Sequence, residues 1–245
     1  MRIFPAIDIQ GGRCVRLRRG DFLDSTVFSD DPVDVAVMWE KEGARHLHVV
    51  DLDGARTGEL HHLDLVRRIA ETVSIPVQFG GGLRSEAALA SISATRVQRV
   101  IIGTNALLDQ AFLDAALAGW GERLVVAVDA SDGYVSTHGW REKTGMTAQT
   151  FARHLAEMGV REIIYTDISR DGMLGGINIR ATENLAREAP GVQIIASGGL
   201  SALNDLRALK LLEPLGVTGV IAGRALYEAA FTLQEALAVL DGSET

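Results

Sequence analysis

The sequence predicts an α/β fold: a (β/α)8 TIM barrel with a two-fold half-barrel repeat. Three observations carry that reading. Short Val/Ile-rich runs alternate with helix-period segments along the whole chain. Eight such pairs in 245 residues give about 31 residues each, which suits this barrel. Four short motifs of the first half also return, in the same order, roughly half a chain later.

The expected strands are 3–9, 46–52, 76–79, 97–102, 124–128, 162–166, 192–196 and 217–222. Continuous apolar runs of this length suit strands buried on both faces of a parallel sheet. Each is followed by a segment with helix punctuation. Asp31 is a natural N-cap, with Pro32 in the first turn and Gly43 at the far end. Later starts are expected at Asp64 or just before it, Ser85, Asp109, Thr147, Asn178 and Ser201, and residues 232–235 have capping-box spacing. Strand one runs into Asp8-Ile9-Gln10-Gly11-Gly12 rather than G-x-G-x-x-G, which disfavours a doubly wound dinucleotide fold. No linker or composition break divides the chain, so residues 1–245 read as one domain with half-barrels at approximately 1–120 and 121–245.

Composition narrows the function classes. Hydrophobic residues at 47% and charged residues at 23% are ordinary for a folded soluble chain. A net charge of -8 disfavours nucleic acid. The basic run from Arg13 to Arg19 reads as a solvated strand edge. No apolar stretch is long enough to span a bilayer, and the N-terminus lacks the pattern of a secretory signal. The single Cys14 can form no internal disulfide. A cytoplasmic protein with no membrane partner is expected.

The repeat selects the candidate site. Ala6-Ile7-Asp8-Ile9 returns as Ala127-Val128-Asp129-Ala130, and Val50-Asp51-Leu52-Asp53-Gly54 has its counterpart in residues 166–172. Gly80-Gly81-Gly82-Leu83 pairs with Ser197-Gly198-Gly199-Leu200, and Ile102-Gly103-Thr104 with Ala222-Gly223-Arg224. In such barrels the C-terminal ends of the strands carry function. Asp8 and Asp129 therefore fall on opposite sides of one mouth, where two carboxyl groups held at different pKa values serve as base and acid. The N-terminal cluster of Gly81, Gly82, Gly103 and Thr104 and the C-terminal cluster of Ser197, Gly198, Gly199, Gly223 and Arg224 each precede helices, whose backbone N–H groups suit anions. Two such seats in opposite halves suggest a substrate with a phosphate at each end.

Other features carry less. His46 and His48 share a strand face but lack further ligands, so no metal is expected. His61-His62 reads as solvated, and Cys14 as a small strand residue rather than a nucleophile. Trp140 lies in the segment 133–146, read as a long polar loop. There it either stacks on a flat heterocycle, leaving water only when substrate arrives, or anchors the rim.

Together, Pro5-Ala6-Ile7-Asp8, residues 48–55, Gly80-Gly81-Gly82-Leu83-Arg84, His138-Gly139-Trp140, residues 167–172, Ala196-Ser197-Gly198-Gly199 and Gly223-Arg224-Ala225-Leu226 resemble the phosphoribosylformimino-5-aminoimidazole carboxamide ribotide isomerase family of histidine biosynthesis. The resemblance runs from residue 2 to about 240. It implies an Amadori rearrangement of a bisphosphate aminoaldose, with no cofactor and no metal. It implies Asp8 as proton acceptor, Asp129 as proton donor, and Thr166 and Asp171 as accessory catalytic positions. By the same likeness Trp140, Arg18 and Arg84 contact substrate, and Gly176 joins the phosphate-binding set. A monomer whose partner is the small-molecule substrate is the corresponding expectation. A related cyclase with paired aspartates is disfavoured because its first strand carries Cys-Leu-Asp where this chain has Ala6-Ile7-Asp8. Two alternatives stay open: a dual-substrate phosphoribosyl isomerase that also serves tryptophan synthesis, and a non-catalytic barrel that binds a phosphorylated metabolite.

Overall fold

A computed structural model describes residues 1–18, 21–103, 105–137, 140 and 142–243, without the side chains of Arg18, Leu23 and Asn105. Its strands are β1 (Arg2–Gln10), β2 (Arg13–Arg18), β3 (Asp21–Ser29), β4 (Leu47–Asp51), β5 (Val77–Gly80), β6 (Arg99–Ile102), β7 (Leu124–Ser131), β8 (Tyr134–Thr137), β9 (Glu142–Thr147), β10 (Glu162–Asp167), β11 (Gln193–Ser197) and β12 (Val217–Ala222). Eight of them, β1, β4, β5, β6, β7, β10, β11 and β12, pair in parallel, and β10 closes the ring on β7. The chain is a (β/α)8 barrel, with barrel strands at the eight expected places.

The extra strands form two antiparallel hairpins at equivalent points of the two halves. The pair β2–β3 grows from β1, and β8–β9 grows from β7. The segment 133–146 is thus mostly a hairpin and not the expected loop. Its strands are short and polar, too brief to display a two-residue period. Tyr134 pairs with Thr147, and the Lys143 ammonium sits 5.0 Å from the Tyr134 ring while reaching Asp132 at 3.0 Å.

Helix caps follow the sequence closely. The Asp31 carboxylate accepts from Val33 N at 2.8 Å ahead of the helix Pro32–Lys41, and Ser85, Asp109, Thr147, Asn178 and Thr232 cap likewise. Two starts differ. The helix Leu63–Thr72 begins after His62, without a side-chain cap. The helix Leu203–Lys210 begins after Ala202 rather than Ser201, and Asp205 reaches back to accept from Ser201 N at 2.9 Å and Ala202 N at 3.1 Å. Among the described residues, no helix is long and apolar enough to cross a membrane.

Inside the ring, Phe4, Ala6, Ile101, Val125, Ile164, Ile195 and Ile221 form their own apolar cluster. Beneath it, Glu162 is buried and pairs with both Arg2 and Arg99, while Arg2 also donates to Gln193 Oε1 at 3.0 Å and Thr218 Oγ1 at 2.8 Å. This ionic floor closes the N-terminal end. The cavity that holds the candidate residues opens at the other end, the C-terminal mouth.

The two-fold repeat reaches the backbone of that mouth. Gly81 has φ +103°, and a Cβ there would lie 2.1 Å from Asp51 O; its counterpart Gly198 has φ +87°, with a Cβ 2.6 Å from Asp167 O. Neither position tolerates a side chain. The loops behind them are braced in parallel ways. Asp51 accepts from the N–H groups of Gly54, His61 and His62, and Asp167 accepts from Ser169 N, Ser169 Oγ and Asn178 Nδ2.

Candidate active site

β1 and β7 are four strands apart in a ring of eight, so Asp8 and Asp129 project from opposite walls. Both line one cavity, together with Thr166, Asp171 and Trp140. Both glycine clusters border the same cavity, through Gly81, Gly82 and Gly103 on one side and Gly198, Gly199 and Gly223 on the other. The expected catalytic residues and most of the expected phosphate residues thus line one space, though Gly176 is not among its lining residues. Thr104 lies outside the described residues, as do Arg19, His138, Gly139, Arg141 and the Arg18 side chain.

Asp129 sits beside Thr166 in the β7–β10 register. Burial raises its pKa, opposed by hydrogen bonds that the Trp140 indole and the Thr166 hydroxyl donate to its carboxylate. Trp140 thus lies at the mouth, its indole N–H on the Asp129 carboxylate. Its φ of +71°, unusual for a residue with a side chain, belongs to the turn between β8 and β9.

Asp171 follows β10 in a tight turn, where its N–H donates to Ile168 O at 3.2 Å. Burial, and then the negative charge of Asp8, push its pKa up to about 7; Arg16 works against this and Asp129 adds to it. This carboxyl therefore holds its proton to far higher pH than an exposed aspartate does. Its turn is tied to the C-terminal glycine cluster by Arg224, whose Nη1 donates to Gly172 O at 2.7 Å while Nε pairs with Glu228 at 2.5 Å. Arg84 is tethered on the other side, donating to Ala55 O at 2.6 Å. Gly176 lies against its cluster through its carbonyl, 2.7 Å from where a Gly199 Cβ would be.

Several residues at the mouth escaped the sequence reading. Arg16 belongs to the run expected to be a solvated edge, yet only 5% of it is exposed. Its Nη1 pairs with Asp8 Oδ2 at 2.5 Å. His48 is buried and lines the cavity; its Nδ1 accepts from Gln78 Nε2 at 2.9 Å, leaving the proton on Nε2. Burial holds its pKa near 4, despite Asp8, so it is neutral. The equivalent positions of the other half are Ile164 and Ile195, so this polar pair marks one half only. His62 is not simply solvated: its Nε2 lies 2.8 Å from Asp53 Oδ2, which also accepts from Gly11 N at 2.7 Å. Asp51, Asp53 and His62 come within 4.8 Å of one another. Asp51 spends its oxygens on three backbone N–H groups, which fits a loop brace better than an ion ligand.

Comparison with known proteins fits this geometry. The family described as "Histidine biosynthesis protein" matches residues 2–232. The chain belongs to that family. A relative from Chloroflexus aggregans is 49% identical over 98% of both chains. One from Desulforudis audaxviator is 50% identical over 98% of this chain and 91% of its own. One from Moorella thermoacetica is 48% identical over 98% of both. Each is named a 1-(5-phosphoribosyl)-5-((5-phosphoribosylamino)methylideneamino) imidazole-4-carboxamide isomerase. Each of these alignments spans 98% of this chain.

Proposed function

We propose that this chain is the aldose–ketose isomerase of histidine biosynthesis that converts the N-linked aminoaldose bisphosphate ProFAR to the aminoketose PRFAR. The observation that carries the reading is the pair Asp8 and Asp129 on opposite walls of one cavity, between two equivalent glycine-rich seats. A substrate with two phosphates fits two seats, and its reacting sugar then lies between the carboxyl groups.

The chemistry follows from proton positions. Asp129, whose pKa burial raises, protonates the ribose ring oxygen as the C1–O bond breaks. The exocyclic nitrogen lone pair forms C=N, giving a protonated Schiff base. Asp8 then takes the C2 proton; the C2–H electrons form C1=C2 as the C=N pair returns to nitrogen. Loss of the O2 proton and protonation at C1 complete the aminoketose. The net change is a 1,2-proton shift, which asks for an acid and a base and for nothing redox-active. Asp171, with a pKa of about 7 beside both carboxyl groups, suits a proton reserve. Trp140 both donates to Asp129 and offers a flat face to the imidazole carboxamide. The backbone at Gly81, Gly82, Gly103, Gly198, Gly199 and Gly223 receives the phosphates, with Gly176 behind. A purely binding barrel has no reason to set carboxylates between two phosphate seats, where they repel a dianion.

Turnover of purified aminoaldose, followed by its absorbance change, tests the reading. Conversion to the aminoketose supports it, and an unchanged substrate at micromolar enzyme defeats it.

A further inference from the structure

We propose that Arg16 is a positioning residue for the isomerisation: it fixes the Asp8 carboxylate over the cavity, and the Tyr227 ring is the seat that fixes Arg16. The inference rests on Asp8 acting as the base.

The arrangement spans three distant parts of the chain. Arg16 enters from β2, beside Asp8 on β1, and its Nη1 pairs with Asp8 Oδ2 at 2.5 Å. Its Nη2 donates to Ala6 O, two residues before Asp8 on the same strand. The guanidinium lies over the Tyr227 ring, 4.3 Å from the centroid. The Tyr227 hydroxyl donates to the same Ala6 carbonyl at 2.8 Å, and Trp39 Nε1 lies 3.4 Å from the hydroxyl oxygen. Arginine and tyrosine thus grip one carbonyl, and the fork points one way, toward Asp8.

This construction is costly as mere packing. Arg16 is buried, and its Nε has no hydrogen-bond partner. A buried cation with an unmet donor is worse for stability than an apolar side chain of similar size. Among the described residues of the equivalent hairpin no arginine reaches Asp129, which accepts instead from Trp140 and Thr166. The asymmetry matches the roles: a cation beside the carboxyl that must accept a proton, neutral donors beside the one that must give it. Among the described residues, the charged and titratable groups around Asp8 are Arg16 and Cys14 from β2, His48 from β4 and Asp171 from the turn after β10, with Asp129 beyond. Arg16 is the cation among them at neutral pH, since burial keeps His48 uncharged.

The test is the pH profile of kcat/KM for wild type, Arg16→Met and Arg16→Lys, with folding checked by circular dichroism. Removing a cation at hydrogen-bond distance disfavours the carboxylate, so the acid limb of Arg16→Met should move up by about one pH unit or more. Its kcat should fall about 10²-fold with KM changed only a few-fold. Arg16→Lys keeps the charge and should recover at least half of the limb shift. In an Asp8→Asn background, Arg16→Met should cost little more, because the two act as one unit. If Arg16→Met fails to fold, Tyr227→Leu, which removes the seat alone, should move the limb in the same direction. An acid limb unmoved in a folded Arg16→Met, or additive losses in the double variant, overturns the proposal while the functional reading stands. A wild-type enzyme that leaves the aminoaldose untouched defeats the functional reading itself, and this inference with it.

Discussion

Asp171→Asn should make the protein more stable in alkaline solution and hardly change it in acid. The carboxyl sits beside Asp8 and Asp129 with its pKa pushed from 3.8 up to about 7, so charging it costs free energy in the folded state. Below about pH 4 both folded and unfolded chains are protonated there, and nothing is lost. As pH rises the unfolded chain releases its proton first, and the penalty grows until it is complete above pH 7. Three pKa units correspond to about 4 kcal/mol, and partial contact with solvent at the mouth cuts this to about 2 kcal/mol. For a chain of this size that is a Tm increase of about 6 °C for the asparagine variant at pH 8, shrinking toward zero at pH 4.5. Asparagine keeps the shape and its carbonyl can still accept from Gly172 N. Thermal melts of both proteins from pH 4.5 to 8.5, in a buffer free of phosphate, measure the difference. A pH-independent difference, or a variant less stable than wild type at pH 8, would refute the electrostatic argument.

The remaining predictions concern the cavity itself. Asp129→Asn should lower kcat less than loss of the base does, because ring opening proceeds partly unaided; a variant as fast as wild type removes Asp129 from the acid role. Crystals grown in high phosphate should show an anion at both glycine clusters, and density at neither would count against a bisphosphate substrate. Trp140→Phe keeps a ring but loses the donor to Asp129. It should therefore shift the alkaline limb of the rate profile upward, while Trp140→Ala should also weaken substrate binding several-fold through lost stacking of about 1 kcal/mol. An unmoved alkaline limb in Trp140→Phe would make the indole N–H irrelevant to the acid.

The barrel strands were legible because parallel strands buried on both faces write themselves as unbroken apolar runs, such as Val100-Ile101-Ile102 and Ile194-Ile195-Ala196. The site's framework was legible because duplication printed it twice: Asp8 with Asp129, Gly81 with Gly198, Gly103 with Gly223. What escaped had no local signature. Arg16 stands in a basic run that reads as solvated, and its burial comes from hairpin pairing and from Tyr227, more than 200 residues away. The pairing of His48 with Gln78 joins neighbouring strands, and no spacing within either reports it. Trp140 was legible as a mouth residue, but its hydrogen bond to Asp129 was not, because it joins two strands' ends through a hairpin that periodicity does not display.

The proposed chemistry turns on Asp8 as the base, in a cavity that binds its substrate at two other points. Steady-state kinetics of Asp8→Asn with the aminoaldose bisphosphate, beside wild type, tests it most directly. Removing a general base while leaving both phosphate seats intact should lower kcat by about 10²–10⁴ and leave the substrate dissociation constant within about tenfold. A variant that keeps more than a tenth of the wild-type kcat, or one that loses binding rather than turnover, would remove Asp8 from the base role.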